Sequence, residues 1–148
     1  MVGVPPSANI TWFQAQQACR NVGKRLATSG EWQQAVAGTP DGAPCVVSAA
    51  SAGPTGTVGC VSAAGAFDMV GNLDEWVADW VPLSTACPGW GGFSNNFMCL
   101  SGASTTALGP GALLRGGYFN DGTDAGPLAV FGDEPSTSDF YIGFRCAR

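Results

Sequence analysis

Two segments in the first quarter of the chain carry apolar residues at helical spacing, and a threonine precedes each of them. Thr11 with Gln14 and Thr28 with Glu31 form capping boxes, in which the threonine side chain caps the third helical amide and the residue at that position reaches back. Each segment therefore predicts a helix with a defined start.

Both helices are predicted to end at a glycine in a left-handed turn, the first running over about 12–22 and the second over about 29–37. The side chains predicted to face the core are Ala15, Ala18, Cys19 and Val22 in the first helix and Trp32, Ala35 and Val36 in the second.

The rest of the chain lacks helical periodicity. Residues 39–65 and 83–111 are rich in Gly, Ala, Ser, Pro and Thr, which is typical of irregular loops. Residues 73–81 predict either a short turn of helix or a strand, and short strands are expected at Leu113 and Leu114 and over 142–146. The length of 148 residues suits one domain, 1–148, of α+β class with short antiparallel strands and much irregular loop.

The six cysteines are even in number and contain no C-x-x-C pair, which favours disulfides over zinc. Short local loops favour two pairs and leave a third, which gives Cys45–Cys60, Cys87–Cys99 and Cys19–Cys146. Disulfides indicate an extracellular, cell-surface or phage-particle location, although a hyperthermophile cytosol also sustains them.

Charge is concentrated late in the chain. Residues 118–141 hold five acids and no base, so this window carries the whole net charge of −5, and it also holds both tyrosines and three phenylalanines. A solvated acidic loop rarely carries so many rings, so the window predicts a binding surface with a preference for basic partners. Nucleic-acid binding is excluded because no basic stripe is present.

Other function classes are excluded by absences in the sequence. Histidine does not occur, which removes histidine-based acid–base catalysis, triads and metal sites. No apolar run approaches the roughly 18 to 20 residues of a membrane helix, and the amino terminus shows no signal-peptide pattern. A soluble protein is expected.

Four motifs in order resemble the formylglycine-generating-enzyme (sulfatase-modifying factor) domain, a variant of the C-type lectin fold. They are ITWFQAQQACRNVGKRLATSGEWQQAV, FDMVGNLDEWVADW, LLRGGYFN and IGFRCAR. The resemblance runs from Ile10 to Arg148, implies the Cys19–Cys146 bridge, and implies that the amino-terminal part of a full-length domain is missing or reduced. The catalytic groups of the family do not carry over, because the copper-binding cysteines after Arg-Gly-Gly and the iron-binding histidines of the ergothioneine-pathway relatives are absent.

The segment 115–148 further resembles the variable region of diversity-generating retroelement target proteins. Substituting the first two bases of the Asn codons common in their templates yields Tyr, Phe, Asp, Gly, Val, Ser or Thr, the residue types found here. The implied ligand-binding positions are Tyr118, Phe119, Asp121, Asp124, Phe131, Gly132, Asp133, Thr137, Asp139, Phe140 and Tyr141, with Glu134, which no such substitution produces, as a neighbour. Phe131 and Phe140 are alternatively core residues.

A calcium loop is a further feature that the resemblance implies, formed by Asp68, Gly71, Leu73 and Glu75. Two carboxylates and two backbone carbonyls on a turn supply the hard oxygen ligands that Ca²⁺ prefers. The alternative is a solvated acidic turn packed against Trp76 and Trp80, and in either case Asp74 and Asp79 are expected to be surface charges. No other cofactor is expected.

The sequence thus favours a non-enzymatic protein that binds an unidentified macromolecular ligand through residues 118–141. Two alternatives stay open: a sulfatase-modifying-type enzyme with an unfamiliar site, and an accessory structural domain of a phage or surface protein.

Overall fold

The computed structural model describes residues 2–100 and 110–148. In these residues the helices are α1 (Trp12–Asn21) and α2 (Ser29–Ala35), with single 3-10 turns at Gly91–Phe93 and Gly122–Asp124. The strands are β1 (Arg25–Leu26), β2 (Asp74–Pro82), β3 (Met98–Cys99), β4 (Pro110–Arg115), β5 (Val130–Asp133), β6 (Ile142–Phe144) and β7 (Cys146–Ala147). None of the helices in this part of the chain has the length and apolar character needed to cross a bilayer.

Both capping boxes are confirmed, and each helix ends slightly before its predicted limit. Ala15 and Cys19 are buried as expected, but the prediction for Val22 is wrong, because this residue is the C-cap of α1 and is 65% exposed. Trp12 in the first turn contributes instead, since it is buried and its indole N–H donates to the Val77 carbonyl at 2.7 Å. In α2, Trp32 and Val36 are buried as predicted.

Five strands form one sheet in the order β3-β5-β4-β2-β6, while β1 and β7 form a separate antiparallel pair. The α+β class is confirmed, but the expectation of antiparallel strands alone is wrong, because β2 pairs parallel with β6 and β3 pairs parallel with β5. Parallel neighbours need a long connection between them. The chain between β2 and β6 provides one, and its last part, between β4 and β6, contains the acidic window.

Strand β5 lies inside that window and was not predicted from the sequence. Its burial alternates, with Val130 and Gly132 buried and Phe131 and Asp133 half-buried. Glycine and aspartate are disfavoured in strands, so only pairing with β4 makes this segment extended.

The core lies on both faces of the sheet because successive strand residues point to opposite sides. Val77 and Leu113 pack with Trp32 of α2 on one face, whereas Trp76 and Leu114 pack with α1 on the other. The sheet is therefore a middle layer between the two helices, which hold Trp76 and Val77 of β2 from opposite sides.

Three disulfides close the structure, and their pairing is the one predicted: Cys19–Cys146, Cys45–Cys60 and Cys87–Cys99. The first joins α1 to β7 across 127 positions of sequence, and the second closes a loop of 15. The long bridge holds the amino-terminal helix against the carboxyl-terminal strands.

Removal of the long bridge should destabilise the protein more than removal of a short one. The loop-entropy model gives about 5 kcal/mol for Cys19–Cys146 and about 3 kcal/mol for Cys45–Cys60. Urea unfolding of the paired variants Cys19→Ala/Cys146→Ala and Cys45→Ala/Cys60→Ala measures both losses. Equal losses, or a larger loss for the short loop, would show that loop closure does not set the order.

Candidate ligand-binding surface

The window 118–141 begins and ends beside the same point of the sheet. In the sheet register Glu75 lies opposite Arg115 at the end of β4, and Asp74 lies beside Ile142 at the start of β6. Because β2 runs between these two strands, both ends of the window are anchored to its first residues. The window is thus a long loop that contains β5. Its two ends share a common base at the first residues of β2.

Arg115 stabilises the buried side of this base. Its guanidinium donates to the carbonyls of Ala129 at 2.8 Å and Pro127 at 3.3 Å, and lies 4.6 Å from the Trp32 ring centroid in a cation–π contact. The side chain is buried, and this burial lowers its pKa to about 10, so it stays charged at neutral pH. A buried charge with several carbonyl acceptors fixes the chain around 127–129.

The first turn of the window depends on Gly117. Its φ is +74°, in the left-handed region, and a Cβ atom there would lie 2.6 Å from the Ala125 Cα. Directly after it, the Tyr118 amide donates to the Asp121 carboxylate at 2.9 Å. Close backbone approach and this hydrogen bond together set the path of the chain at Tyr118.

Four rings meet at the two ends of the window and form what we call the aromatic cluster: Tyr118, Phe119, Phe140 and Tyr141. Ring centroids lie 4.7 Å apart for Tyr118 and Tyr141, 5.1 Å for Tyr118 and Phe119, 5.2 Å for Phe140 and Tyr141, and 6.0 Å for Phe119 and Phe140. Phe119 is 4% exposed and Phe140 is 59% exposed. The cluster therefore has a buried base and an exposed rim, which suits a preorganised contact surface.

Two carboxylates of the window, Asp121 and Asp133, have raised pKa values. The pKa of Asp121 is raised to about 6, mainly by burial and in smaller part by the neighbouring Asp124 charge; burial is also the main cause of the raised pKa of Asp133. Burial, followed by nearby carboxylates, raises the pKa of both tyrosines, that of Tyr141 to about 12. Neither of the ion pairs of the described residues, Arg25–Glu31 and Arg145–Glu75, involves this window.

Most of the positions predicted to contact a ligand are at least partly accessible, and two are not. Phe119 and Gly132 are buried, so they support the surface rather than form it. The alternative that Phe140 is a core residue is wrong because of its exposure. Phe131 is half-buried, packs against the core, and its ring contacts Phe97 at 6.2 Å rather than the aromatic cluster. The accessible or half-buried positions are Tyr118, Asp121, Asp124, Phe131, Asp133, Glu134, Thr137, Asp139, Phe140 and Tyr141.

Neither Asp74 nor Asp79 is the surface charge that the sequence predicted. Asp79 is half-buried and accepts the Ser29 amide at 2.5 Å, so it caps the start of α2. Asp74 is 5% exposed and lies at the base of the window. The signal in the sequence was its spacing of two from Trp76, which puts both residues on one face of a strand.

The predicted calcium ligands have other partners. The Asp68 carboxylate accepts the Gly56 and Thr57 amides at 2.5 and 3.0 Å. The Glu75 carboxylate accepts the Trp32 indole N–H at 2.8 Å and Arg145 Nε at 2.5 Å, while the second Arg145 nitrogen bonds the other Glu75 oxygen.

The same Arg145 guanidinium also reaches the carbonyl oxygen of Asp68 at 3.4 Å, so a cation of the chain itself lies against this oxygen set. Gly71 and Leu73 lie in the buried turn between Asp68 and Glu75. In residues 2–100 and 110–148 no three acidic or cysteine side chains are arranged to bind a metal. Because both predicted carboxylate ligands already have partners within the chain, their arrangement does not favour a bound ion, and the calcium prediction is left to the stability test that follows.

A cleft of about 900 Å³ adjoins the window on another side. It lies between the loops 41–49 and 91–96 and includes Gly122, Thr123 and Ala125 of the window. The cleft and the aromatic cluster are thus connected through the 122–125 turn.

A mixed sheet between two helices, with the first helix linked to the last strand by a disulfide, defines a C-type lectin fold. Residues 46–148 match the family of the sulfatase-modifying factor enzyme 1-like domain, and the chain belongs to this family. The matched region begins after both helices, later than the resemblance from Ile10 suggested.

Known structures share the fold at low sequence identity. The Major Tropism Determinant M1 variant is 21% identical with a TM-score of 0.68, over 92% of this chain and 36% of that chain. Treponema denticola variable protein 1 is 17% identical with a TM-score of 0.60, over 94% and 69% of the two chains. At this identity the likeness shows a common fold.

Curated relatives are similar in sequence over a limited part of their length. The serine/threonine-protein kinase Pkn1 of Chlamydia trachomatis serovar L2 is 29% identical over 159 residues, and that of Chlamydia pneumoniae is 28% identical over 154. These alignments cover 97% of this chain and 24% of each relative, so the chain spans about a quarter of the proteins that it matches.

Calcium should not change the stability of the protein. An ion bound at a hundredfold excess over its Kd would add about 2.7 kcal/mol to the free energy of unfolding, a shift of several degrees in Tm. We expect the Tm in CaCl₂ and in EDTA to agree within about 1 °C. The substitution Glu75→Gln serves as a control for the role of the ion pair. It should lower the free energy of unfolding by about 2–4 kcal/mol, because it leaves Arg145 without its counter-charge. A calcium-dependent rise in Tm would contradict this account of the site.

Proposed function

We propose that the chain is a non-enzymatic ligand-binding protein that displays a diversified surface, built by residues 118–141, to a macromolecular ligand. The observation that carries this proposal is the aromatic cluster, whose exposed Phe140 and half-buried tyrosines stand on the buried Phe119. Rigid aromatic side chains give large contact areas at low entropic cost, as in antibody paratopes. The structural likeness to proteins called variable proteins and tropism determinants agrees with it.

The chemistry of the cysteines supports a binding role over the enzymatic one. All six cysteines are in disulfides, so the chain offers no thiolate for copper. Histidine is absent from the whole sequence. The chain therefore lacks both of the metal-binding sets of the enzymes that it resembles.

The charge of the window supports a ligand with basic groups. Its formal charge is −5, and no basic side chain of the window balances it. A surface of one sign attracts an opposite one, mainly through the association rate, and salt screens this attraction. The three disulfides support a location outside the cell or on a phage particle.

Binding should depend on the exposed part of the aromatic cluster. Biotinylated wild type, the variant Tyr118→Ser/Phe140→Ser/Tyr141→Ser and the control Val58→Ser, an apolar residue 90% exposed outside the window, are incubated with bacterial cell-surface proteins. We expect ligands held by wild type and control to bind the triple variant at least about 30-fold more weakly, since aromatic anchors each contribute about 1–2 kcal/mol or more. The association rate should fall between 50 and 300 mM NaCl, by about tenfold or more.

Equal affinity of the triple variant and wild type for every captured protein would contradict the binding role of the cluster. An association rate independent of salt would contradict the electrostatic part alone.

Diversification should be visible in the DNA around the gene. We expect a reverse transcriptase gene and a near-copy of the DNA for residues 115–148 that differs mainly at adenines. Sequencing many isolates should show substitutions at accessible positions such as Tyr118 and Phe140 but not at buried Gly117 or Ile142, where replacement would disturb packing. If the window does not vary among isolates and no near-copy of its DNA lies nearby, the binding surface is fixed rather than diversified.

A further inference from the structure

Asp74 lies between the two ends of the window, although it belongs to neither. Its amide donates to the Tyr141 carbonyl at 2.9 Å, and its carboxylate faces the Gly117 amide, which acts to lower its pKa. It is the first residue of β2, between β4, which leads into the window, and β6, which follows it. Strand β2, which lies outside the window, therefore places the carboxylate at the base of the aromatic cluster.

This carboxylate is not fully satisfied by the protein. Asp74 is 95% buried, and its Oδ1 atom has no hydrogen-bond partner among the described residues. A buried polar atom without a partner destabilises the folded protein, and more so when it is charged. Native structures retain such groups where a ligand, a water molecule or an ion completes them.

The charges that act on Asp74 are negative. Asp121 and Asp133 from the window and Glu75 from β2 all raise its pKa, after burial, which is the largest cause. Asp74 in turn contributes to the raised pKa of Tyr118 and Tyr141. Of these carboxylates only Glu75 has a cation, because Arg145 is bonded to it.

The group that would complete Asp74 is an organic cation rather than a metal ion. The residues that the structure describes contain no metal-binding trio of carboxylates. The Tyr118 and Tyr141 rings, by contrast, which are tilted by 31° to each other, lie near enough to the carboxylate for its charge to act on both hydroxyls, and aromatic faces attract ammonium and guanidinium groups. An aromatic pair over an acidic base is a recognised arrangement for binding an amine, and the Coulomb attraction is strongest where water is excluded.

We infer that Asp74 is the receptor for a lysine or arginine side chain of a protein ligand, which reaches the carboxylate past the Tyr118 and Tyr141 rings as these two rings move apart. The inference rests on the proposed function and adds a fixed preference to it. Since Asp74 lies outside residues 118–141, changes within the window would alter the contacts around the inserted side chain and leave its acidic receptor in place. When the cation enters, its ammonium or guanidinium group pairs with the Asp74 carboxylate.

A small amine tests this receptor without knowledge of the natural ligand. The probe is n-butylammonium, which mimics a lysine side chain, and n-butanol is its uncharged match. Amide chemical shifts of Tyr118 and Tyr141 are followed by NMR in wild type, Asp74→Asn and the control Asp41→Asn, which removes one exposed charge outside the window. We expect saturable binding of the ammonium, at least tenfold weakened in Asp74→Asn and within twofold of wild type in Asp41→Asn.

Similar shifts with n-butanol, or unchanged affinity for n-butylammonium in Asp74→Asn, would overturn the inference.

The two proposals fail separately. A captured protein that needs the aromatic cluster but binds Asp74→Asn normally would overturn the role of Asp74 and leave the binding surface standing. Binding of n-butylammonium at Asp74, with no macromolecule dependent on the aromatic cluster, would support the receptor and overturn the proposed function.

Discussion

The buried carboxylate of Glu75 is the interaction on which the rest of the structure depends. It accepts hydrogen bonds from Trp32 in α2 and from Arg145 between β6 and β7, so one side chain of β2 links the second helix, the central sheet and the carboxyl terminus. A buried charge is tolerated only when paired and hydrogen-bonded, which makes this geometry specific. The register of β2 against β4 and β6, and with it the common base of the window, follows from this fixed point.

The base and the window have different tasks. Arg115, Gly117 and the buried Phe119 support the loop through hydrogen bonds and packing that do not depend on the exposed side chains. Surface substitutions away from such supports change stability little. A scaffold of this kind can accept many side chains at the rim of the aromatic cluster while its backbone path stays the same.

Membership of the family does not bring the catalytic groups of its enzymes to this chain. The chain belongs to the family of the sulfatase-modifying factor enzyme 1-like domain, yet its cysteines are all used in disulfides. The oxygen set that resembled a calcium loop is bonded to Arg145 and to backbone amides. A guanidinium supplies the positive charge that these oxygens need, so the turn is neutralised from within the chain.

Local signals in the sequence determined the helix starts, the cysteine pairing and the position of the acidic aromatic window. Capping boxes act within four residues, and the spacing of cysteines restricts their pairing, so neither requires knowledge of distant contacts. Only the tertiary structure decided which residues of the window are accessible, that β2 has parallel and antiparallel neighbours, and that Asp74 is buried. Burial and strand pairing are set by residues far apart in the chain, such as Asp74 with Tyr141 and Glu75 with Arg145, and a linear pattern carries no record of those distances.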